Sequence, residues 1–199
     1  MFPKKFLTFL TFLIIFFSNI TKVYSIEPDI FVQSTVNRAS KLLSENITKY
    51  EKVEKLKSIA KDTVDIKGLG FYTLGSARKT LTNNELERYL LLFEQYFLKS
   101  FASRLAEYTN PEIDVFDKEV LNQNYTIVNS LLKATDQRPE IKIDWRIYTK
   151  DKKNPVIRDL IIEGLSLART QKEEFASILN SNDGNIQSLF KTLEEFTNE

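Results

Sequence analysis

The sequence predicts an α+β fold: a four-stranded antiparallel sheet wrapped on one face by helices. Three observations carry this. Apolar residues recur at helical spacing through the first half of the chain and again near its end. From Pro111 to about Gly164 the period becomes two, the mark of strands with one buried face. No repeat, low-complexity segment or Gly/Pro/Ser-rich linker divides the chain, so these elements belong to one unit.

In chain order, the first segment reads as a cleavable secretion signal over residues 1–25. Lys4 and Lys5 give a positive start, Phe6 to Phe17 an apolar core broken only by Thr8 and Thr11, and Val23-Tyr24-Ser25 a small residue at the cut. The apolar run is shorter than the ~20 residues that span a bilayer. With no cysteine there is no lipobox, so residues 26–199 are expected to be one domain, free in solution outside the cytoplasm. The first helix is expected over Ile30 to Leu43, with Val32, Val36, Ala39 and Leu43 on one side. A second, from Tyr50 to Val64, has Tyr50, Val53, Leu56, Ala60 and Val64 on one side and lysines and glutamates on the other.

Asp65 to Gly75, DIKGLGFYTLG, holds three of the five glycines. It reads as a short helical or irregular connector that approaches another segment closely. It is not a phosphate loop, because no strand precedes it and no Gly-Lys-Ser/Thr follows. Thr82-Asn83-Asn84-Glu85 is a capping box opening the longest helix, to about Tyr108. Its stripe of Leu86, Leu90, Phe93, Phe97, Phe101, Leu105 and Tyr108 is widened by Tyr89, Leu92 and Tyr96.

The clearest strand is Ile141 to Tyr148, where Ile141, Ile143, Trp145 and Ile147 alternate with Lys142, Asp144, Arg146 and Tyr148. Tyr125 to Ala134 and Val156 to Ile162 are its neighbours, and Ile113 to Val120 is a weaker fourth. Turn signals at Asp136 to Pro139 and Asp151 to Pro155 make a meander. Thr170-Gln171-Lys172-Glu173 reads as a second capping box, starting a helix through Phe175, Ile178 and Leu179. Asp183-Gly184 ends it, and Ile186 to Phe196 forms the last helix.

Composition excludes several chemistries. Without histidine or cysteine there is no Ser-His-Asp or Cys-His nucleophile and no His- or Cys-based zinc site. Carboxylates remain: Asp159 and Glu163 share a face if their strand is regular, and a paired-carboxylate hydrolase is the catalytic class left open. Charged side chains at this frequency fall on solvated faces by default, so no enzyme is expected. Cleavage removes Lys4, Lys5 and Lys22, leaving 25 basic residues against 27 acidic, a net charge of about −2. That balance, with both signs interspersed, gives no electrostatic footprint for nucleic acid. The sequons Asn46-Ile47-Thr48 and Asn124-Tyr125-Thr126 read as chance matches in a chain of bacterial character.

Specific strings add to this. Leu74-Gly75, Thr82-Asn83-Asn84-Glu85-Leu86-Glu87-Arg88-Tyr89 and Phe93-Glu94-Gln95-Tyr96-Phe97 resemble the centre of the MlaC family, the toluene-tolerance phospholipid-binding proteins of the periplasm. The likeness continues at Tyr108 and at Ile143-Asp144-Trp145-Arg146. It is strongest from Asp159 to Phe175, through Ile162-Glu163-Gly164-Leu165-Ser166 and Thr170 to Phe175. Arg78 and Pro155 depart from it, standing where the family often has an aromatic residue and a tryptophan. The hopanoid-associated HpnM branch is similar in the same blocks.

The resemblance implies a monomeric, catalytically inactive periplasmic carrier with a lipid cavity between sheet and helices. It implies phospholipid as bound ligand, no other cofactor, and two partners: an outer-membrane lipoprotein–porin complex and an inner-membrane ABC transporter. The expected lining is Phe71 and Leu74 from the glycine connector, then Leu90, Phe93, Phe97 and Phe101 from the long helix. Trp145, Ile162, Leu165, Phe175 and Leu179 complete it from the sheet and the capped helix. Alternatives from other classes are a hopanoid binder, a ligand-free envelope interaction protein, and a small-molecule enzyme on a cone-like α+β fold using Asp or Glu as base.

Overall fold

The structure is a computed structural model, and it describes residues 25–198. The expected secretion signal, residues 1–25, lies outside the described residues apart from Ser25.

Helix α1, Pro28–Ser44, starts with a proline where the missing N–H costs nothing. It buries Val32, Thr35, Val36, Leu42 and Leu43. Helix α2, Lys49–Thr63, begins one residue before the expected start, because Thr48 and Glu51 form a reciprocal capping box. Its first turn overhangs the core, so Tyr50 is exposed rather than aligned with buried Leu56 and Ala60. The glycine-rich connector is helix α3, Ile66–Leu74. The Asp65 carboxylate accepts from the Gly68 amide at 2.8 Å to start it, and Gly75, at φ 57°, ends it. A 3₁₀ turn, Ala77–Lys79, leads to α4, Asn83–Leu105, which the Thr82–Glu85 box caps as the sequence indicates. Helix α4 stops three residues short of Tyr108, ahead of the left-handed Asn110 and Pro111.

Strands β1 Ile113–Asn122, β2 Tyr125–Leu132, β3 Ile141–Tyr148 and β4 Val156–Ile162 form the expected antiparallel meander. A fifth strand, β5 Leu165–Ser166, adds to its edge. Glu163 and Gly164 both have positive φ, 49° and 82°, and so close a tight hairpin. Helix α5, Leu167–Asn180, starts earlier than the sequence suggests. Its cap is Ser166, whose hydroxyl accepts from the Arg169 amide, while Thr170 sits inside the helix and bonds back to the Ser166 carbonyl. The hairpin delivers the chain into the helix before Thr170 can act as a cap. Asp183 and Gly184, both at positive φ, end the turn that leads into α6, Ile186–Asn198.

Among the described residues the apolar interior falls into three clusters. Helix α1 lies on the sheet, where Val32 and Val36 meet Val128, Leu132, Ile143, Trp145, Ile147 and Ile157. Helices α3 to α6 share a second cluster centred on Tyr89, Phe93, Phe175, Leu189 and Phe190. A smaller third, Leu42, Leu43, Leu56 and Ala102, joins α1, α2 and α4. Among the described residues α4, the longest helix, packs on α2, α3 and α6, and no strand is a main neighbour of it.

Candidate functional site

The expected lining residues divide between the first two clusters. Seven of them, Leu74, Leu90, Phe93, Phe97, Phe101, Phe175 and Leu179, come together in the helical cluster. Helical spacing of four puts the α4 phenylalanines in one column. Phe93 stacks on Phe97 at 6.2 Å between ring centroids, and Phe97 on Phe101 at 5.5 Å. Phe175 meets this column edge-on, 6.3 Å from both Tyr89 and Phe93 and 5.9 Å from Tyr96. Phe93 and Phe175 are buried, whereas Leu90, Phe97 and Phe101 are half-buried. The column therefore runs from the helical core outward to its edge.

Trp145 belongs to the sheet cluster instead. Its indole N–H donates to Ser130 Oγ at 2.8 Å, and that hydroxyl donates to the Ile143 carbonyl at 3.0 Å, so the buried ring has no unmet polar atom. Ile162, at the end of β4, and Phe71, on α3, are half-buried and belong to neither core. Leu165 is 59% exposed on the β5 hairpin. Val64, between α2 and α3, is half-buried against both clusters and marks where helical core and sheet core meet. A seam thus runs between the two cores.

Two contacts hold the helical side of that seam together. A side chain beginning at Gly70 would meet Leu90 Cδ2 at 3.0 Å and Phe93 Cδ1 at 3.1 Å, so glycine lets α3 cross α4 closely. The fully buried Tyr89 donates to Thr73 Oγ1 at 2.7 Å, since the Thr73 hydroxyl itself donates to helical carbonyls of Leu69 and Gly70. Burial pushes the Tyr89 phenol well above its ordinary value against the pull of the Thr73 bond, and neighbouring Tyr96 adds to the rise. Neither Thr73 nor this pairing was legible in the sequence, because the partners lie on different helices.

The carboxylates do not form the catalytic pair that a regular strand would give. Asp159 is 3% exposed. It accepts from Ser166 Oγ at 2.6 Å and from the Ala168 amide at 3.0 Å, with Arg146 at 3.5 Å, so it anchors the start of α5. Glu163 leaves the strand at the hairpin and accepts from the Lys142 amide. Among the described residues no group of three or more His, Cys, Asp or Glu side chains could hold a metal. No described helix is long and apolar enough to cross a membrane. Two open grooves lie along α1: about 420 Å³ beside Gln33, Asn37 and Lys41, and about 340 Å³ between α1 and α2 at Leu42 and Ile59. Neither touches an expected lining residue; seven of those residues are packed together in the helical cluster.

No curated protein matches the chain significantly. Among solved structures, a phospholipid-binding protein from Ralstonia solanacearum, in complex with a phospholipid, is similar in fold. Its TM-score is 0.73 at 17% identity, covering 86% of this chain and 97% of that one. A family model described as MlaC protein matches residues 33–195, a span that reaches from α1 into α6, and the chain belongs to the MlaC family.

Proposed function

We propose that this protein is a periplasmic phospholipid carrier. It holds acyl chains in the seam between the helical and sheet cores and moves lipid between outer-membrane and inner-membrane complexes. The observation that carries the reading is the divided interior. The long helix is packed on helices rather than on the sheet, and its aromatic column runs out to half-buried rings at Phe97 and Phe101. Phospholipid in the fold of the Ralstonia protein supports the same ligand class.

The physical need is large. A buried methylene is worth ~0.8 kcal/mol, so exposing one ~16-carbon chain to water costs roughly 12 kcal/mol. A diffusible carrier offsets that cost with dry apolar surface and performs no chemical step, which suits a chain without His or Cys. Parting two apolar cores to admit acyl chains keeps that surface out of water in both conditions. Cleavage of the secretion signal, monomeric behaviour, and docking to an outer-membrane lipoprotein–porin complex and an ABC transporter belong to this reading.

The test is native mass spectrometry with lipid extraction of the purified protein. Stoichiometric phospholipid is expected; a hopanoid would move the chain to the HpnM branch. A protein that takes up no lipid from vesicles would be a ligand-free interaction protein. Phe97→Asp should abolish lipid retention while the fold survives, because Phe97 sits at the edge of the core and Phe93 in its centre. A folded Phe97→Asp protein that still carries lipid would place the ligand elsewhere.

A further inference from the structure

Charge on this chain is balanced overall but not locally. No carboxylate occurs from Ile66 to Asn84 or from Gly164 to Lys172, and these two stretches contribute Lys67, Arg78, Lys79, Arg169 and Lys172. Lys172 brings the second stretch against the first. The Lys172 stem passes 3.0 Å from where a side chain at Gly75 would begin, and its ammonium lies 5.1 Å from the centre of the Tyr72 ring. Lys67 lies 5.8 Å from the Phe71 ring on the same helix. Arg78 and Lys79 follow Gly75 in the 3₁₀ turn, and Arg169 stands one turn before Lys172.

Among the described residues none of these five cations is in an ion pair. Lys55, Lys57 and Lys61 on α2, by contrast, are each matched to a glutamate. The carboxylates that flank the two stretches are Asp65, held by Arg158 at 2.6 Å, Glu85, held in the Thr82 capping box, Glu163, held on the Lys142 amide, and Glu173, exposed on α5. Exposed apolar side chains occur in the same stretches: Tyr72, beside Lys172, is 43% exposed, Leu165 59% and Leu167 39%.

We propose that this surface, built from α3, the 3₁₀ turn and the start of α5, docks the protein on an anionic phospholipid bilayer. Lysine and arginine meet lipid phosphates, while Tyr72, Leu165 and Leu167 reach the boundary between headgroups and acyl chains. An acidic protein partner would use the cations but gain less from three apolar tips. The same elements carry Phe71, Leu74 and Phe175, so a docked molecule presents the helical wall of the seam to the membrane, a consequence that rests on the carrier reading.

The experiment measures co-sedimentation of the protein with pure phosphatidylcholine vesicles and with mixed phosphatidylcholine–phosphatidylglycerol vesicles, at low and high salt. Binding should require phosphatidylglycerol and weaken with salt. The triple variant Arg78→Gln, Lys79→Gln, Arg169→Gln should lose roughly fivefold in affinity per cation removed. A control triple, Lys55→Gln, Lys57→Gln, Lys61→Gln, carries the same change in net charge and should bind like the parent. Equal losses in both triples would reduce the effect to net charge and overturn the docking face. So would absence of binding to mixed vesicles. Lipid co-purifying with a protein that ignores vesicles would sink this proposal and leave the carrier reading intact.

Discussion

Single side chains at the α3–α4 crossing set how closely the helical wall of the seam can form. At Gly70, any Cβ meets Leu90 and Phe93 at about the closest distance carbon tolerates, and both are expected lining residues. Gly70→Val should cost ~1–3 kcal/mol through overpacking, read as a lower denaturation midpoint, and should weaken lipid retention more than an equally destabilising change far from α4. Tyr89 gives a pH signature. Unfolded, its phenol ionises near the ordinary value of ~10, whereas burial keeps the folded phenol protonated to higher pH. Above ~10 the unfolded state therefore holds fewer protons, and stability falls as pH rises. Half-buried Tyr96 is raised in the same direction, mainly by burial and by Glu174. Tyr89→Phe should lower stability at neutral pH by ~1 kcal/mol for the lost bond to Thr73, yet flatten the alkaline decline. Denaturant titrations from neutral pH to about 11 check both signs; an unchanged alkaline slope would exclude Tyr89 as its source.

Among the elements, α5 shows how a local motif is overruled by its surroundings. Thr170-Gln171-Lys172-Glu173 has the letters of a capping box, but Ser166 is the cap and shares its hydroxyl with the buried Asp159. Ser166→Ala should cost ~2 kcal/mol, combining a lost cap with a weakened anchor for a buried carboxylate. Thr170→Ala should cost less than ~0.5 kcal/mol, since an internal threonine contributes no cap. Thermal melts of the two variants separate the assignments, and a larger loss at Thr170 would restore the later start. The same logic explains β5. The sequence reading ended the strands at about Gly164, because a two-residue strand carries no period for a pattern to reveal. The four longer strands, and the helix opened by Thr82, were legible because each repeats its own signal over many residues.

For the whole molecule, the carrier reading requires the helical and sheet cores to part. The absence of cysteine makes that measurable with introduced label pairs. Spin labels at Gln95 on α4 and Lys142 on β3, both exposed, should move apart on phospholipid loading. A pair at Gln95 and Lys191, on α4 and α6 of the same cluster, should keep its distance. Equal, unchanged distances in both pairs would rule out opening at the seam.

The sequence by itself determined the α+β class, the order of helices and strands, the longest helix and its aromatic stripe, and the likeness to MlaC proteins. The class and the elements rest on near-neighbour periodicity, capping and turn chemistry, which are written along the chain; the likeness rests on short residue strings in a matching order. Tertiary structure alone decided that the lining candidates divide between two cores, that Trp145 sits with the sheet and Leu165 at the surface, and that Asp159 anchors a helix. It also set Lys172 against Tyr72 and Gly75, joining two distant stretches that are rich in unpaired cations. Such facts depend on contacts between residues far apart in sequence. An apolar side chain looks the same in the chain whether it ends in a core, along a seam or in water.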